Sequence, residues 1–293
     1  MSAPQWFLDA LASPVDTGVI EVEGATISYR SWGRPGDPGT ILVHGGAAHS
    51  RWWDHVAPLL AVDRHVVALD LSGHGDSDWR DEYSRTRWAR EVIALAQTVL
   101  SGPPVVIGHS LGGMVAVEAA GLLGSHLSGL VVLDSAISDV RPPSEKADLA
   151  RLSRPSRLYA TRAEALSRFR PLPRDGDILD FVAAHVAEQS VCLRHRGWGW
   201  KFDPRIFSFT PMKAAEAFVP QCPVALVRGS HGSVTADMQA RLAERFGAGV
   251  STEVISNAGH HLMLDAPVAL IDCLLSLLGG WFTKSEPVGV PIG

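Results

Sequence analysis

The pentapeptide Gly108-His109-Ser110-Leu111-Gly112 constrains this chain more than any other stretch of it. It follows the apolar run Pro104 to Ile107 directly and precedes a helical pattern that begins at Leu111. A serine on so tight a strand-to-helix turn is forced into a strained backbone conformation, so its neighbours must lack bulk. Gly108, Gly112 and Gly113 supply that space. The turn also sends the Ser110 hydroxyl away from the strand and toward the positive end of the following helix, where negative charge is stabilised.

That strand and helix belong to a regular alternation. Short apolar runs at Thr40 to Val43, His65 to Leu69, Pro104 to Ile107, Leu130 to Leu133, Val224 to Val227 and Val250 to Ile255 read as strands buried on both faces. Helical patterns at Thr86 to Leu100, Leu111 to Leu123, Thr235 to Phe246 and Pro267 to Trp281 lie between and after them. Val19 to Val22 and Thr26 to Trp32, parted by Gly24, suggest an opening antiparallel hairpin. The expectation is an α/β fold: a mostly parallel sheet of about eight strands with helices on both faces. The alternation fails between residues 138 and 217, where Arg, Pro, Trp and helix-forming patches take over. This stretch reads as a helical cap inserted into a core made of residues 1–137 and 218–293.

Composition closes off several classes. With 26 basic and 31 acidic residues the net charge is −5, which offers no field to collect nucleic acid or anionic lipid. Cys192, Cys222 and Cys273 are widely spaced and odd in number, so they read as free thiols in a reducing compartment. The N-terminus has no basic region, and the apolar stretch Val268 to Phe282 is short and carries Asp272. A cytoplasmic protein without a membrane span is expected.

With its flanking strand and helix, the G-x-S-x-G sequence resembles the nucleophile elbow of the α/β-hydrolase family, and the resemblance runs from about Val19 to Phe282 apart from the insertion. A serine needs a base to attack. The resemblance puts that base on the loop after the last strand, at His260 in Asn257-Ala258-Gly259-His260-His261, with His261 the adjacent alternative. His109 is expected beside Ser110, lining the wall without doing chemistry. His44-Gly45-Gly46 resembles the family's oxyanion turn and implies the backbone N–H groups of Gly46 and Leu111 as the two donors, each worth on the order of 3 kcal/mol. The segment Asp70 to Ser77 also resembles a family segment and is expected to shape loops beneath the site.

The acid departs from the usual pattern. Most relatives carry it a few residues past the strand corresponding to Val224 to Val227, but here that loop reads Arg228-Gly229-Ser230-His231-Gly232-Ser233 and offers no carboxylate. Some relatives place it after the preceding strand, where this chain has Asp134. Asp134 is therefore the first candidate, with Asp237 and Asp139 as weaker ones and a dyad completed by Ser233 or water still open.

Trp52 and Trp53 after the glycine turn, and Trp198, Trp200, Phe202, Phe207, Phe209 and Phe218 in the insertion, are candidate pocket walls. Arg168 and Arg170 flank Phe169 and could meet a carboxylate-bearing substrate, whereas the aromatics favour an uncharged ester; the sequence leaves both open. The resemblance implies hydrolysis of a small-molecule ester or lactone through an acyl-enzyme, with no metal or organic cofactor. Carbon–carbon bond hydrolysis, perhydrolysis, hydroxynitrile cleavage and non-catalytic ligand binding occur on the same constellation. Ser110 disfavours epoxide and haloalkane hydrolysis, which need an aspartate there.

Overall fold

The computed structural model describes residues 2–137, 153–154, 157–208, 212–213 and 216–282. Ten strands occur among them: β1 (Asp16–Val22), β2 (Ala25–Trp32), β3 (Gly39–Val43), β4 (His65–Leu69), β5 (Val105–His109), β6 (Gly129–Leu133), β7 (Val191–Arg194), β8 (Gly197–Trp200), β9 (Val224–Gly229) and β10 (Ser251–Ile255). Eight form one sheet in the order β1-β2-β4-β3-β5-β6-β9-β10. β1 and β2 are the antiparallel hairpin, β2 runs antiparallel to β4, and every pairing from β4 through to β10 is parallel.

The helices are α1 (Gln5–Ala12), α2 (Ala57–Leu60), α3 (Arg85–Val99), α4 (Leu111–Leu123), α5 (Arg162–Leu166), α6 (Asp180–Gln189), α7 (Ala236–Phe246), α8 (Leu262–Asp265) and α9 (Pro267–Phe282). They cover both faces, and the period-2 alternation of each strand decides which side chain meets which layer. Ile41, Val43 and Val106 pack with Trp88, Val92, Val115 and Ala119 of α3 and α4. Leu42, Val105 and Ile107 pack with Leu60, Leu270 and Leu274 on the opposite face. Every residue of β3, β4, β5 and β6 is buried in consequence, which is why these strands read as unbroken apolar runs. α4 is apolar nearly all round because it lies between the sheet and α3.

Two expectations need correcting. Val250 to Ile255 is not buried on both faces: β10 is the last strand of the sheet, and Thr252, Glu253 and Val254 are exposed, as an edge strand with solvent beside it permits. The segment between β6 and β9 is also not purely helical. Beside α5 and α6 it holds β7 and β8, a two-stranded antiparallel ladder from Val191↔Trp200 to Arg194↔Gly197. α1 carried no expectation; Phe7 of that helix inserts beside His55 and Phe181.

The inserted segment is tied to the core through backbone. Gly75 N–H donates to the Lys201 carbonyl and Asp203 N–H to that of Gly73, each at 2.8 Å. Among the described residues, no helix is long and apolar enough to cross a membrane.

Candidate active site

Ser110 terminates β5 and begins α4 at φ 54°, ψ −117°, a conformation that costs roughly 1–3 kcal/mol in a non-glycine residue. Its surroundings over-determine it. The Ser110 N–H donates to the Leu133 carbonyl at 3.0 Å, and the Ser135 hydroxyl donates to the Ser110 carbonyl. A Cβ on Gly108 would stand 2.7 Å from the Gly113 nitrogen, and one on Gly112 2.5 Å from the His44 carbonyl oxygen. The turn can therefore close only with glycine at both positions.

Around that serine three side chains form one hydrogen-bonded series. His260 Nε2 lies 2.9 Å from Ser110 Oγ, and His260 Nδ1 lies 2.7 Å from Asp134 Oδ2. Nδ1 facing a carboxylate assigns the proton to that nitrogen and leaves Nε2 to accept from the serine hydroxyl. Asp134 sits just past β6 at φ 40° and is 1% exposed. Its oxygens also accept the Gly229 N–H at 3.2 Å and the Ser233 N–H at 2.8 Å. A buried carboxylate is tolerable because these donors replace water.

The loop after β9 thus wraps the carboxylate of β6. A Cβ on Gly232 would come within 2.7 Å of Asp134 Cγ, so the Asp134 carboxylate occupies the space that a side chain on this loop would need. Asp237 is elsewhere: it lies exposed in the first turn of α7 and pairs with Arg241 at 2.8 Å. Asp139 and Phe209 lie outside the described residues.

His260 is also held through its backbone. Its N–H donates to Asp175 Oδ1 at 2.9 Å, and the preceding Gly259 N–H donates to Asp265 Oδ2 at 2.9 Å. Asp175 comes from the inserted segment. Burial, with Asp175 nearby, pushes the Asp265 carboxyl up to about 6 although the Gly259 N–H acts against it. Nothing in the sequence pattern singled out either aspartate, since their partners are backbone groups up to 85 residues away.

The other two histidines of the cluster stay neutral. His109 Nε2 faces the His260 carbonyl oxygen at 2.8 Å, and its ring lies 4.7 Å from that of His260. Burial first, then the neighbouring His260, holds His109 well below the usual imidazole range, and the same two causes act on His261. Nitrogen atoms of His109, His260 and His261 lie within 4.8 Å of one another, a spacing compatible with a metal ion. His260 Nδ1 is taken by Asp134, its Nε2 by the Ser110 hydroxyl and His109 Nε2 by a carbonyl oxygen, whereas His109 Nδ1 and both nitrogens of His261 are buried without a hydrogen-bond partner among the described residues.

Gly46 and Leu111 are neighbours across the turn, a Cβ on Gly46 falling 3.7 Å from Leu111 Cδ2. Among the described residues neither backbone N–H donates to a protein acceptor. His44 anchors this loop, its Nδ1–H donating to the Gly45 carbonyl at 2.8 Å while Nε2 accepts the Leu71 N–H at 3.1 Å. The Asp70 to Ser77 segment is knotted by its own side chains: Asp70 accepts the Ser50 and Asp76 N–H groups at 2.6 and 2.8 Å, and the Ser77 hydroxyl donates to the Asp70 carbonyl.

Beside these groups opens a cavity of about 150 Å³ lined by Gly46, Trp52, Phe169, Leu172, Trp200 and His261 among others, with Arg168 and Arg170 also on its wall. Trp52 and Trp200 stand where a pocket wall was expected. Trp53 and Trp198 do not: Trp53 is completely buried in the core between Val56 and Leu60, and Trp198 lies under the Arg162 guanidinium. Consecutive residues in the turn of helix after His49 point in different directions, so a Trp-Trp pair sends only one ring to the pocket. In β8 Trp198 is separated from Trp200 by Gly199, and the pair divides between the Arg162 side and the cavity. His109 does not line this cavity; its ring is buried behind His260.

The model of the alpha/beta hydrolase family matches residues 40–272. An esterase of Mycobacterium tuberculosis is 27% identical over 279 residues, spanning 89% of this chain and 89% of its own. The lipase LipV of the same organism is 29% identical over 262 residues, spanning 86% of this chain and 98% of its own. In fold, a putative hydrolase from Rickettsia typhi superposes with a TM-score of 0.76 at 17% identity, over 90% of this chain and 99% of that one. With the family's pattern covering most of its length, the chain belongs to the alpha/beta hydrolase family.

Proposed function

We propose that the chain hydrolyses small carboxylic esters or lactones by acyl transfer through Ser110, His260 and Asp134. The single observation that carries this is the position of His260, whose two ring nitrogens meet Asp134 Oδ2 at 2.7 Å and Ser110 Oγ at 2.9 Å. The names borne by the two mycobacterial relatives, an esterase and a lipase, agree with it.

Ser110 Oγ attacks the ester carbonyl as its proton passes to His260 Nε2. Asp134 keeps the ring in the tautomer that can accept this proton and stabilises the resulting imidazolium. His109 and His261, neutral by burial, put no competing positive charge beside it. The oxyanion is received by the Gly46 N–H of the loop after β3 and by the Leu111 N–H at the N-terminus of α4. His260 then returns its proton to the leaving alcohol, and a water, deprotonated in turn by His260, releases the acyl group and regenerates Ser110. The cavity of about 150 Å³ beside Gly46 and His261, lined by Trp52, Phe169 and Trp200, offers an apolar wall to the acyl chain.

The test is steady-state hydrolysis of p-nitrophenyl esters from acetate to decanoate, with wild type, Ser110→Ala and Asp134→Asn. Wild-type turnover that falls by about 10⁴ or more in Ser110→Ala supports the proposal. Wild-type turnover on no chain length would overturn it.

A further inference from the structure

The wall of the cavity beside Ser110 carries charge that ester hydrolysis itself does not need. Arg168, Phe169 and Arg170 follow α5, and all three line the cavity. Phe169 is the inner member: its ring meets Trp52 edge-on at 6.5 Å and Trp200 at 6.1 Å. Trp52 in turn meets His261 at 5.4 Å. An aromatic strip therefore leads from His261 through Trp52 to Phe169 and Trp200, and the two arginines flank Phe169 on the same wall.

Among the described residues their side chains, both exposed, have no acidic partner. Arg30, Arg80, Arg162 and Arg205 each pair with an acidic side chain, whereas among the described residues neither Arg168 nor Arg170 does. Arg170 donates one N–H to the Phe169 carbonyl at 2.5 Å, which leaves the rest of its planar fork available. No acidic residue lines the cavity among the described residues. In a chain of net charge −5, this wall reverses the local sign.

We propose that the substrate carries a second, free carboxylate at the end of its acyl chain. The ester carbonyl sits at Ser110, the methylenes lie on Trp52, Phe169 and Trp200, and the carboxylate is bound by Arg168 and Arg170. Guanidinium suits this task because its paired N–H groups match the two carboxylate oxygens. The inference rests on the ester-hydrolase proposal for Ser110 and narrows its substrate to monoesters of dicarboxylic acids.

The experiment compares kcat/KM for p-nitrophenyl hydrogen adipate and p-nitrophenyl hexanoate, which share a six-carbon acyl chain and differ by the terminal carboxylate. The adipate-to-hexanoate ratio is expected above one in wild type, to fall at least tenfold in Arg168→Gln/Arg170→Gln, and to shrink in 0.5 M salt. A wild-type ratio below one, or a ratio the double variant leaves unchanged, overturns the proposal. Binding gives a second readout in Ser110→Ala protein, where adipic acid mono-p-nitroanilide should bind more tightly than the hexanoyl anilide, and lose that advantage in the arginine variant. Equal affinities there overturn the carboxylate inference even if no ester is turned over; hexanoate turnover without an adipate preference overturns it while the ester-hydrolase proposal stands.

Discussion

The carboxylate of Asp134 stands in the space that a side chain at Gly232 would claim, the Cγ lying 2.7 Å from where that Cβ would be. The two positions follow adjacent parallel strands, β6 and β9, whose C-terminal ends open on the same side of the sheet. Either end can deliver a carboxylate to one histidine, but both cannot do so together. Asp134→Asn should lower kcat by about 10³ to 10⁴ with the fold intact, because the amide favours the wrong imidazole tautomer. Asp134→Ala combined with Gly232→Asp should regain part of that loss. Ester hydrolysis by Asp134→Asn, Asp134→Ala and the double variant checks both statements, and a double variant no better than Asp134→Ala would show that the later loop cannot place an acid here.

Asp175 accepts the His260 N–H from outside the sheet. Asp175→Ala should reduce kcat by about 10- to 100-fold with little change in KM, since small displacements of a proton-transfer group are costly. Asp175→Asn, which keeps an acceptor oxygen, should recover most of the rate. Steady-state kinetics on the same ester distinguishes this from a folding defect, which would lower the active fraction of both variants alike.

The Asp265 carboxyl gives a pH dependence of known sign. Its value rises from 3.8 to about 6 in the folded chain, so between those limits the native state holds a proton that the unfolded state has released. Stability from this group is therefore full below 3.8, declines as pH rises toward about 6, and stays low above that. Asp265→Asn removes the titration. Thermal denaturation from pH 4 to 7 should show the variant gaining on wild type as pH rises; a constant difference in melting temperature would contradict the assignment.

The tryptophan pair separates stability from binding. Trp53→Ala should cost about 3–5 kcal/mol in denaturant unfolding, because it empties a completely buried site. Trp52→Ala, at the cavity wall, should instead raise KM for short esters by several-fold and cost less stability. The reverse pattern would place the pocket on the wrong side of this turn.

Much of this was legible before any coordinates. Buried parallel strands announce themselves as continuous apolar runs, and the glycines around Ser110 mark a turn that tolerates no side chains. β10 departs from the expectation because in this edge strand only Ile255 is buried, while Thr252, Glu253 and Val254 face solvent. The sequence could not choose between Asp134 and Asp237, since chain spacing does not show that the end of β6 meets His260 while Asp237 lies exposed in the first turn of α7. Asp175 and Asp265 were invisible for another reason: a carboxylate that accepts from backbone N–H leaves no pattern in its partner's residue type.

The inserted segment is fastened to the core at Gly73 and Gly75 on one side and at His260 on the other. The inserted segment and the loop that carries His260 are consequently one framework with a shared part. Replacing that segment would remove the acceptor of the His260 N–H together with Phe169 and Trp200 from the cavity wall. Any exchange that ends before residue 175 or preserves an acceptor there leaves His260 in place; one that crosses it must rebuild the seat of that ring.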